Sequence, residues 1–135
     1  MGDFKMELKT IKIKLSNLEI RAKLLSLQPI LNQRGVIGYI AARNARVLTN
    51  ALTEYSRFER EAIIKYGTSD LDSNGKSLGT TSIKPSSDKF DQFIKEMDPL
   101  QKIQQDISIT IAKYDDVIGV LSGEEILAID WMLED

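Results

Sequence analysis

One long apolar stripe, interrupted by a single polar residue, constrains the fold of this chain more than any other feature. Its members recur at alternating spacings of four and three residues, which keeps one face of a helix against a neighbour. They are Ile37, Ala41, Asn44, Leu48, Ala51, Tyr55, Phe58 and Ala62. The stripe is widened to the face that a globular core needs by Ile40, Val47, Leu52 and Ile63. The pattern predicts one long helix from about residue 36 or 38 to residue 66, with Gly67 as its C-terminal cap.

Two segments alternate between apolar and polar residues, and both are predicted strands. Residues 8–15 place Ile11, Ile13 and Leu15 on one face and lysines on the other, a pattern typical of a half-buried edge strand. Residues 106–111 alternate in the same way. Because each segment alone would leave backbone hydrogen-bonding groups unpaired, we expect the two strands to pair. The sequence leaves their relative direction open.

Two capping boxes mark the starts of helices. Ser16 and Glu19 have the spacing at which side chains and backbone amides exchange hydrogen bonds, and Pro29 ends or kinks the helix that follows. Its inner face should carry Ile20, Leu24, Leu27 and, further on, Leu31. Ser122 and Glu125 form the second box, which predicts a final helix reaching residue 133.

A third helix is predicted after a polar stretch. Residues 68–86 are rich in Ser, Thr, Asp and Gly, which indicates an exposed loop with a small turn at Asn74-Gly75. Ser87 can cap the helix that follows, and Pro99 either kinks this helix or restarts it.

Composition narrows the class of protein. The chain has 135 residues, which suits one domain with one core. It has no cysteine and no histidine, so it lacks disulfides, thiolate chemistry and the commonest acid–base catalyst and metal ligand. We therefore expect no enzyme, no cofactor and no metal site. No apolar run approaches the ~20 residues of a membrane helix, and the N-terminus has no apolar signal region, so we expect a cytoplasmic protein.

Charge is distributed unevenly along the chain. Residues 1–50 hold nine basic and three acidic residues, and residues 51–135 hold nine basic and seventeen acidic ones, seven of the acids lying between Asp115 and Asp135. Either the two halves pack together and their fields partly cancel, or a basic patch and an acidic tail each serve a partner. The predicted partner-contact residues of the basic patch are Lys9, Lys12, Lys14, Arg43 and Arg46.

Several short motifs suggest chemistry but have simpler explanations. Asp70-Leu-Asp72-Ser-Asn74-Gly75 resembles the opening of a calcium loop, yet Thr81 stands where a bidentate glutamate is required. A solvated turn explains it better. The glycines of residues 35–38 suit a connector rather than a phosphate loop. The acid pairs at 115–116 and 124–125 suit capping or a solvated surface. Trp131 is either an interface anchor or a core residue beside Ile126 and Leu127.

Asn44 has two interpretations as well. It is either a site residue or a buried polar group that fixes register at some cost in stability. Because the helix before Pro29 is about half as long as the stripe, the remainder is covered either by the third helix or by a second copy. We expect self-association through residues 37–62. If Asn44 lies at the two-fold contact, it should pair with its own copy and fix the register, and Asn44→Leu should then keep or raise stability while blurring the oligomeric state.

Four stretches carry a family resemblance: the basic–apolar first strand, the helix end Glu61-Ala-Ile-Ile-Lys65-Tyr66-Gly67, the turn at residues 72–75, and residues 106–109 followed by 121–130. On these the chain resembles a family of small proteins from bacteriophages and prophages of Gram-positive bacteria, catalogued as a domain of unknown function. The chain departs from the family in its Pro29 connector and its longer polar loop near residues 76–87. The resemblance implies a phage origin, and with it the cytoplasm of a bacterial host or association with the virion.

The sequence thus predicts a mainly helical α+β fold of order β-α-α-α-β-α, with a helical hairpin and a two-stranded ribbon. It predicts a single domain over residues 1–135 with an exposed loop at about 68–86. The expected function is that of a non-catalytic phage interaction protein with a protein partner, either a morphogenesis or accessory factor or an inhibitor of a host defence protein. Nucleic-acid binding through the basic residues is the alternative, and a hydrolase using carboxylates and a metal is the weakest candidate.

Overall fold

A computed structural model describes residues 8–134 and divides them into two compact units. Residues 8–51 and 104–134 form the first unit, and residues 52–103 form the second. The fold is mainly helical α+β, as predicted. In chain order its elements are β1 (Lys9–Ser16), α1 (Asn17–Ser26), α2 (Gly35–Ala51), α3 (Thr53–Tyr66), β2 (Thr68–Leu71), β3 (Ser77–Ser82), α4 (Phe90–Gln101), β4 (Gln104–Ile111), α5 (Tyr114–Val117) and α6 (Gly123–Ala128). No helix within residues 8–134 has both the length and the apolarity needed to cross a bilayer.

Strands β1 and β4 pair with each other, which confirms the predicted ribbon and shows that it is antiparallel. Ile13 lies opposite Ile107 and Lys14 opposite Asp106. Ile107 and Ile109 are buried, whereas Lys12 and Lys14 are exposed. The alternation of the sequence is therefore the alternation between the core and solvent faces of the ribbon.

Helix α1 begins at its predicted capping box and ends before Pro29, as expected. The Ser16 Oγ accepts the Glu19 amide at 3.1 Å, and the Glu19 carboxylate accepts the Ser16 amide at 3.0 Å. Pro29 lies in a 3₁₀ turn, Gln28–Ile30, that follows the helix. Ile20 and Leu27 are buried, but Leu31 lies beyond the helix and is exposed. The inner face of this segment is thus shorter than expected.

The predicted long helix is two helices, α2 and α3, separated at Leu52. Leu52 is buried and has φ −90° and ψ 0°, outside regular helical geometry. The sequence contains no helix breaker at this point. Tertiary structure ends α2 instead, because the Gln105 side chain donates to the Ala51 carbonyl at 3.0 Å and so satisfies a terminal acceptor of the helix. Gly67 is the C-cap of α3, as expected.

The buried face of α2 is the first half of the apolar stripe, and α2 packs against β4. Asn44 is 1% exposed and docks on the backbone of Thr110. Its Nδ2 donates to the Thr110 carbonyl at 2.9 Å, and its Oδ1 accepts the Thr110 amide at 2.8 Å. Asn44 is therefore a buried polar residue with partners in its own chain. Asn44 therefore does not lie at a two-fold contact, the condition for pairing with its own copy, whereas self-association through residues 37–62 stays a prediction.

The second unit contains a hairpin where an irregular loop was expected. Strands β2 and β3 pair antiparallel, with Thr68 opposite Ser82. The hairpin forms because Asp72 closes the turn: its Oδ1 accepts the amides of Asn74 and Lys76 at 2.8 and 2.9 Å. Helix α4 packs on α3 and continues through Pro99 to Gln101, so this proline does not restart the helix.

The C-terminal segment ends differently from the prediction. Helix α6 stops at Ala128, and a 3₁₀ turn, Asp130–Met132, replaces its expected continuation to residue 133. Ala112 donates to the Met132 carbonyl at 2.9 Å, and Glu134 donates to the Ala112 carbonyl at 2.7 Å. These hydrogen bonds place Leu133 beside Ala112 as a one-residue parallel bridge. Because the last residues hydrogen-bond with the backbone of Ala112, just beyond the end of β4, they do not continue the helix.

Candidate protein-interaction surface

The three predicted contact lysines lie on β1 and are exposed, but acids accompany two of them. The Lys9 Nζ is 3.4 Å from a carboxylate oxygen of Glu134. Lys14 lies directly opposite Asp106 in the ribbon register. Such exposed pairs add little to stability, yet they dilute the positive potential of the strand. Lys12 lies opposite an uncharged residue, Ser108.

The two predicted arginines lie on α2, on the side away from its buried face. Arg43 and Arg46 are both exposed. The Arg43 guanidinium carbon is 5.9 Å from the centre of the Tyr39 ring, within range of a cation–π contact. The predicted basic set is thus drawn from one strand and one helix of the first unit.

The charge asymmetry of the sequence disappears within the folded units. The described part of the first unit carries nine Lys and Arg residues against eight Asp and Glu, and the second unit carries eight against nine. The reason is topological, because the basic N-terminal segment and the acidic C-terminal segment belong to the same unit. This agrees with the interpretation in which the fields of the two halves partly cancel.

A different surface of the first unit combines exposed apolar side chains with acids. We call it the acidic–apolar surface, and its residues are Asp115, Ile118, Val120, Glu124 and Leu127. Leu127 is 77% exposed, Ile118 63% and Val120 49%, and both acids are exposed. These three apolar side chains lie close together in the chain and all face solvent, so this segment is the candidate interaction surface of the first unit.

Local sequence explains how these side chains come to face solvent. Val117 and Leu121 are buried and anchor the turn between them. Gly119 has φ +78°, a conformation that favours glycine. The chain therefore turns back sharply, which leaves Ile118 and Val120 on the outside of the turn.

Capping hydrogen bonds stabilise the starts of both helices that flank this turn. The Asp116 carboxylate accepts the Lys113 amide at 3.1 Å at the start of α5. At the start of α6, the Glu125 carboxylate accepts the Ser122 amide at 2.9 Å, and the Ser122 Oγ accepts the Glu125 amide at 3.2 Å. The second predicted capping box is confirmed. One acid of each acidic pair thus caps a helix, while Asp115 and Glu124 point their charge outwards.

Spacing along α6 places an acid beside an apolar side chain on this surface. Glu124 and Leu127 are three residues apart on α6 and so share one face of the helix. Asp115 lies in α5, and Ile118 is the extended residue that directly follows this helix. A shallow cleft of about 250 Å³ adjoins Asp115 and is lined by Lys113, Tyr114 and Glu134.

Sequence reasoning missed this surface because it assigned Leu127 to the core beside Trp131. Trp131 is half-buried, and its indole donates to the Ser26 Oγ and the Ala128 carbonyl, each at 3.2 Å. Leu127 faces solvent instead. No sequence signal could have shown this, because the spacing predicts a helix to residue 133 and only the structure shows that α6 ends at Ala128.

The second unit contains an open groove of about 460 Å³ between α3 and α4. Ala62 and Leu100 contribute apolar surface, and the Lys65 Nζ lies 3.6 Å from a Glu96 carboxylate oxygen across the groove. The pKa of Lys65 is raised by a hydrogen bond with Tyr66 and by the charge of Glu96, so this amine keeps its positive charge.

The calcium-like motif in the hairpin is satisfied by protein groups. The Asp70 carboxylate accepts hydroxyl protons from Ser82 and Thr80, and these bonds lower its pKa. Asp72 binds backbone amides of its own turn. Among residues 8–134, no three acidic side chains are grouped so that they could hold a metal ion.

Comparisons of the chain with protein-family models, with curated proteins and with solved structures gave no significant match.

Proposed function

We propose that this protein is a non-catalytic interaction protein that binds a protein partner through the acidic–apolar surface. The observation that supports this proposal is the exposure of Ile118, Val120 and Leu127 beside the outward-pointing carboxylates of Asp115 and Glu124. A partner that fits this surface is a basic protein with apolar side chains or pockets of its own. Apolar contacts would supply most of the binding free energy, and charge would steer the encounter.

The family resemblance supplies the biological setting of this proposal. If the chain comes from a phage, the partner is either a host protein, such as a component of a defence system, or another phage protein used in assembly. Both settings place the interaction in the bacterial cytoplasm, and the second also allows a place in the virion.

A nucleic-acid-binding function is the second candidate. It is supported by the exposure of Lys12, Lys14, Arg43 and Arg46 in the first unit. The near balance of charge in that unit argues against it, because non-specific affinity for nucleic acid depends on the number of phosphates neutralised. The partner of this surface would be the phosphate backbone rather than a particular base sequence.

Capture from a bacterial lysate followed by mass spectrometry tests which surface carries the function. Wild-type protein and the variant Leu127→Ser are immobilised in parallel. We expect a defined set of proteins that is retained by wild type and lost in the variant, because the variant removes the most exposed apolar contact. Glu124→Lys should weaken retention of the same proteins by reversing a charge beside it.

Two control variants make this test specific. Leu25→Ser changes another leucine of the first unit, one that is 63% exposed on α1, and it should leave retention unchanged. The double variant Lys12→Glu/Lys14→Glu should also retain the captured proteins. If the lysine variant loses the captured proteins and Leu127→Ser keeps them, the basic residues bind the partner and the acidic–apolar surface does not.

A further inference from the structure

The tip of the hairpin in the second unit is a tightly hydrogen-bonded turn with an asparagine–glycine pair at its centre. The sequence there is Asp72-Ser73-Asn74-Gly75-Lys76, and Asn74 and Gly75 are both exposed. Gly75 has φ +81° and donates its amide to the Asp72 carbonyl at 3.0 Å. This is the geometry of a three-residue hairpin loop that ends in a glycine bulge.

We propose that Asn74 is a site of spontaneous covalent modification, where the exposed amide converts to aspartate and isoaspartate. The backbone nitrogen of Gly75 attacks the side-chain carbonyl carbon of Asn74, and the new N–C bond closes a five-membered succinimide ring. The C–Nδ2 bond breaks, and ammonia leaves with the proton of the Gly75 amide. Water then opens the ring at either carbonyl, and no oxidant or reductant is needed.

Glycine makes this reaction fast because it places no side chain beside the attacking nitrogen. The other exposed asparagines of the described chain lack this feature. Asn32 is followed by Gln33, and Asn50 is followed by Ala51. They serve as internal controls within the same molecule.

Asp72 slows the reaction in two ways: its backbone carbonyl binds the attacking nitrogen, and its side chain, which Asp72→Ala removes, stabilises the turn that keeps this nitrogen from the Asn74 side chain. Its carbonyl accepts the Gly75 amide, and its Oδ1 accepts the amides of Asn74 and Lys76. The Gly75 nitrogen must leave its hydrogen bond before it can approach the side chain of Asn74. The rate of modification should therefore follow the opening of the hairpin tip.

The product would alter the hairpin. Either product adds a negative charge beside Asp72. Isoaspartate also lengthens the backbone of the turn by one atom, which conflicts with the register that places Leu71 opposite Ser77. Modification would thus loosen the strand pair next to the turn.

The experiment is a time course of the intact chain at neutral pH and physiological temperature, read by peptide mapping and mass spectrometry. We expect amide-to-acid conversion and an isoaspartate peak at Asn74, with no comparable conversion at Asn32 or Asn50. The variant Asp72→Ala should convert about fivefold faster or more, since losing capping bonds of this kind shifts a local opening by that order. Asp88→Ala, which removes an exposed acid of the same unit outside the turn, should convert at the wild-type rate.

Two outcomes would overturn the proposal. If the chain is unfolded in denaturant and Asn74 still converts no faster than Asn32 and Asn50, the site itself is wrong. If wild type and Asp72→Ala convert at equal rates while folded, the control by Asp72 is wrong.

Discussion

The Asn44 side chain forms with Thr110 of β4 the two hydrogen bonds that a neighbouring strand would form. A strand presents an amide and a carbonyl to its neighbour, and the Asn44 side chain offers the matching acceptor and donor to Thr110. Its Nδ2 is also 3.5 Å from the Met132 sulfur. One buried side chain therefore ties α2, β4 and the C-terminal segment together.

We expect Asn44→Ala and Asn44→Leu to destabilise the protein, whereas an Asn44 at a two-fold contact would have let the leucine variant keep or raise stability. Both leave the buried Thr110 amide and carbonyl without their partner, at about 1–3 kcal/mol for each group. Chemical denaturation monitored by circular dichroism measures the change. Asn50→Ala, at an exposed position on the same helix, should leave the free energy of unfolding within about 0.5 kcal/mol of wild type. Equal stability of the Asn44 and Asn50 variants would contradict this role.

A second prediction at the residue scale concerns pH and the first capping box. The hydrogen bond from the Ser16 amide lowers the pKa of Glu19 below its ordinary value of 4.5. A lowered carboxyl pKa in the folded state contributes stability that is complete above the ordinary value and is lost as pH falls through the folded value. The stability advantage of wild type over Glu19→Gln should thus be present at neutral pH and vanish in acid. Denaturation curves of both proteins at several pH values measure it, and a difference independent of pH would refute it.

At the scale of elements, the start of α2 depends on the absence of a side chain at Gly38. A Cβ at Gly38 would lie 2.0 Å from the Gln33 carbonyl oxygen, and this neighbour is backbone. The connector between α1 and α2 therefore approaches the helix more closely than alanine permits.

We expect Gly38→Ala to destabilise the protein by roughly 1–3 kcal/mol, because the backbone must shift to relieve the overlap. Gly123→Ala is the matched control: it lies in α6, where a Cβ meets no atom within 4 Å. That variant should instead stabilise by roughly 0.4–1 kcal/mol, through the reduced entropy of the unfolded chain. Thermal unfolding of both variants distinguishes the two effects, and destabilisation of similar size in both would show that close approach is not the cause at Gly38.

At the scale of the whole molecule, topology decides how charge is presented. The most basic and most acidic segments of the sequence share the first unit, and Lys9 pairs there with Glu134. Counted over residues 8–134, neither unit carries a large excess of one sign. Long-range attraction to a polyanion is consequently weak.

We therefore predict that the protein binds double-stranded DNA only with an affinity of about micromolar or weaker, without sequence preference, and with a steep loss on adding salt. Gel-shift titrations at low and physiological ionic strength measure this. Lys12→Glu/Lys14→Glu should remove whatever binding remains at low salt. Tight binding at physiological salt would refute the prediction and favour the second candidate function.

Patterns that depend on neighbouring residues were predictable from the sequence. Both capping boxes need only a serine and a glutamate three residues apart, so the starts of α1 and α6 follow from local spacing. The pairing of β1 with β4 was also predictable, because two alternating segments each needed a partner. The burial of the first half of the apolar stripe was predictable too, because helical periodicity places its residues on one face.

Tertiary structure decided the features that depend on groups distant in the chain. The end of α2 depends on Gln105, the partner of Asn44 is a backbone group 66 residues away, and the last residues leave the helix to join Ala112. The candidate surface belongs to this class, since the exposure of Leu127 follows from how a short helix packs rather than from its spacing. Capping hydrogen bonds and periodicity depend on residues that are close in the chain, so the sequence predicts them. Backbone groups at helix ends and strand edges find their hydrogen-bond partners only when distant segments pack together, so the sequence alone does not.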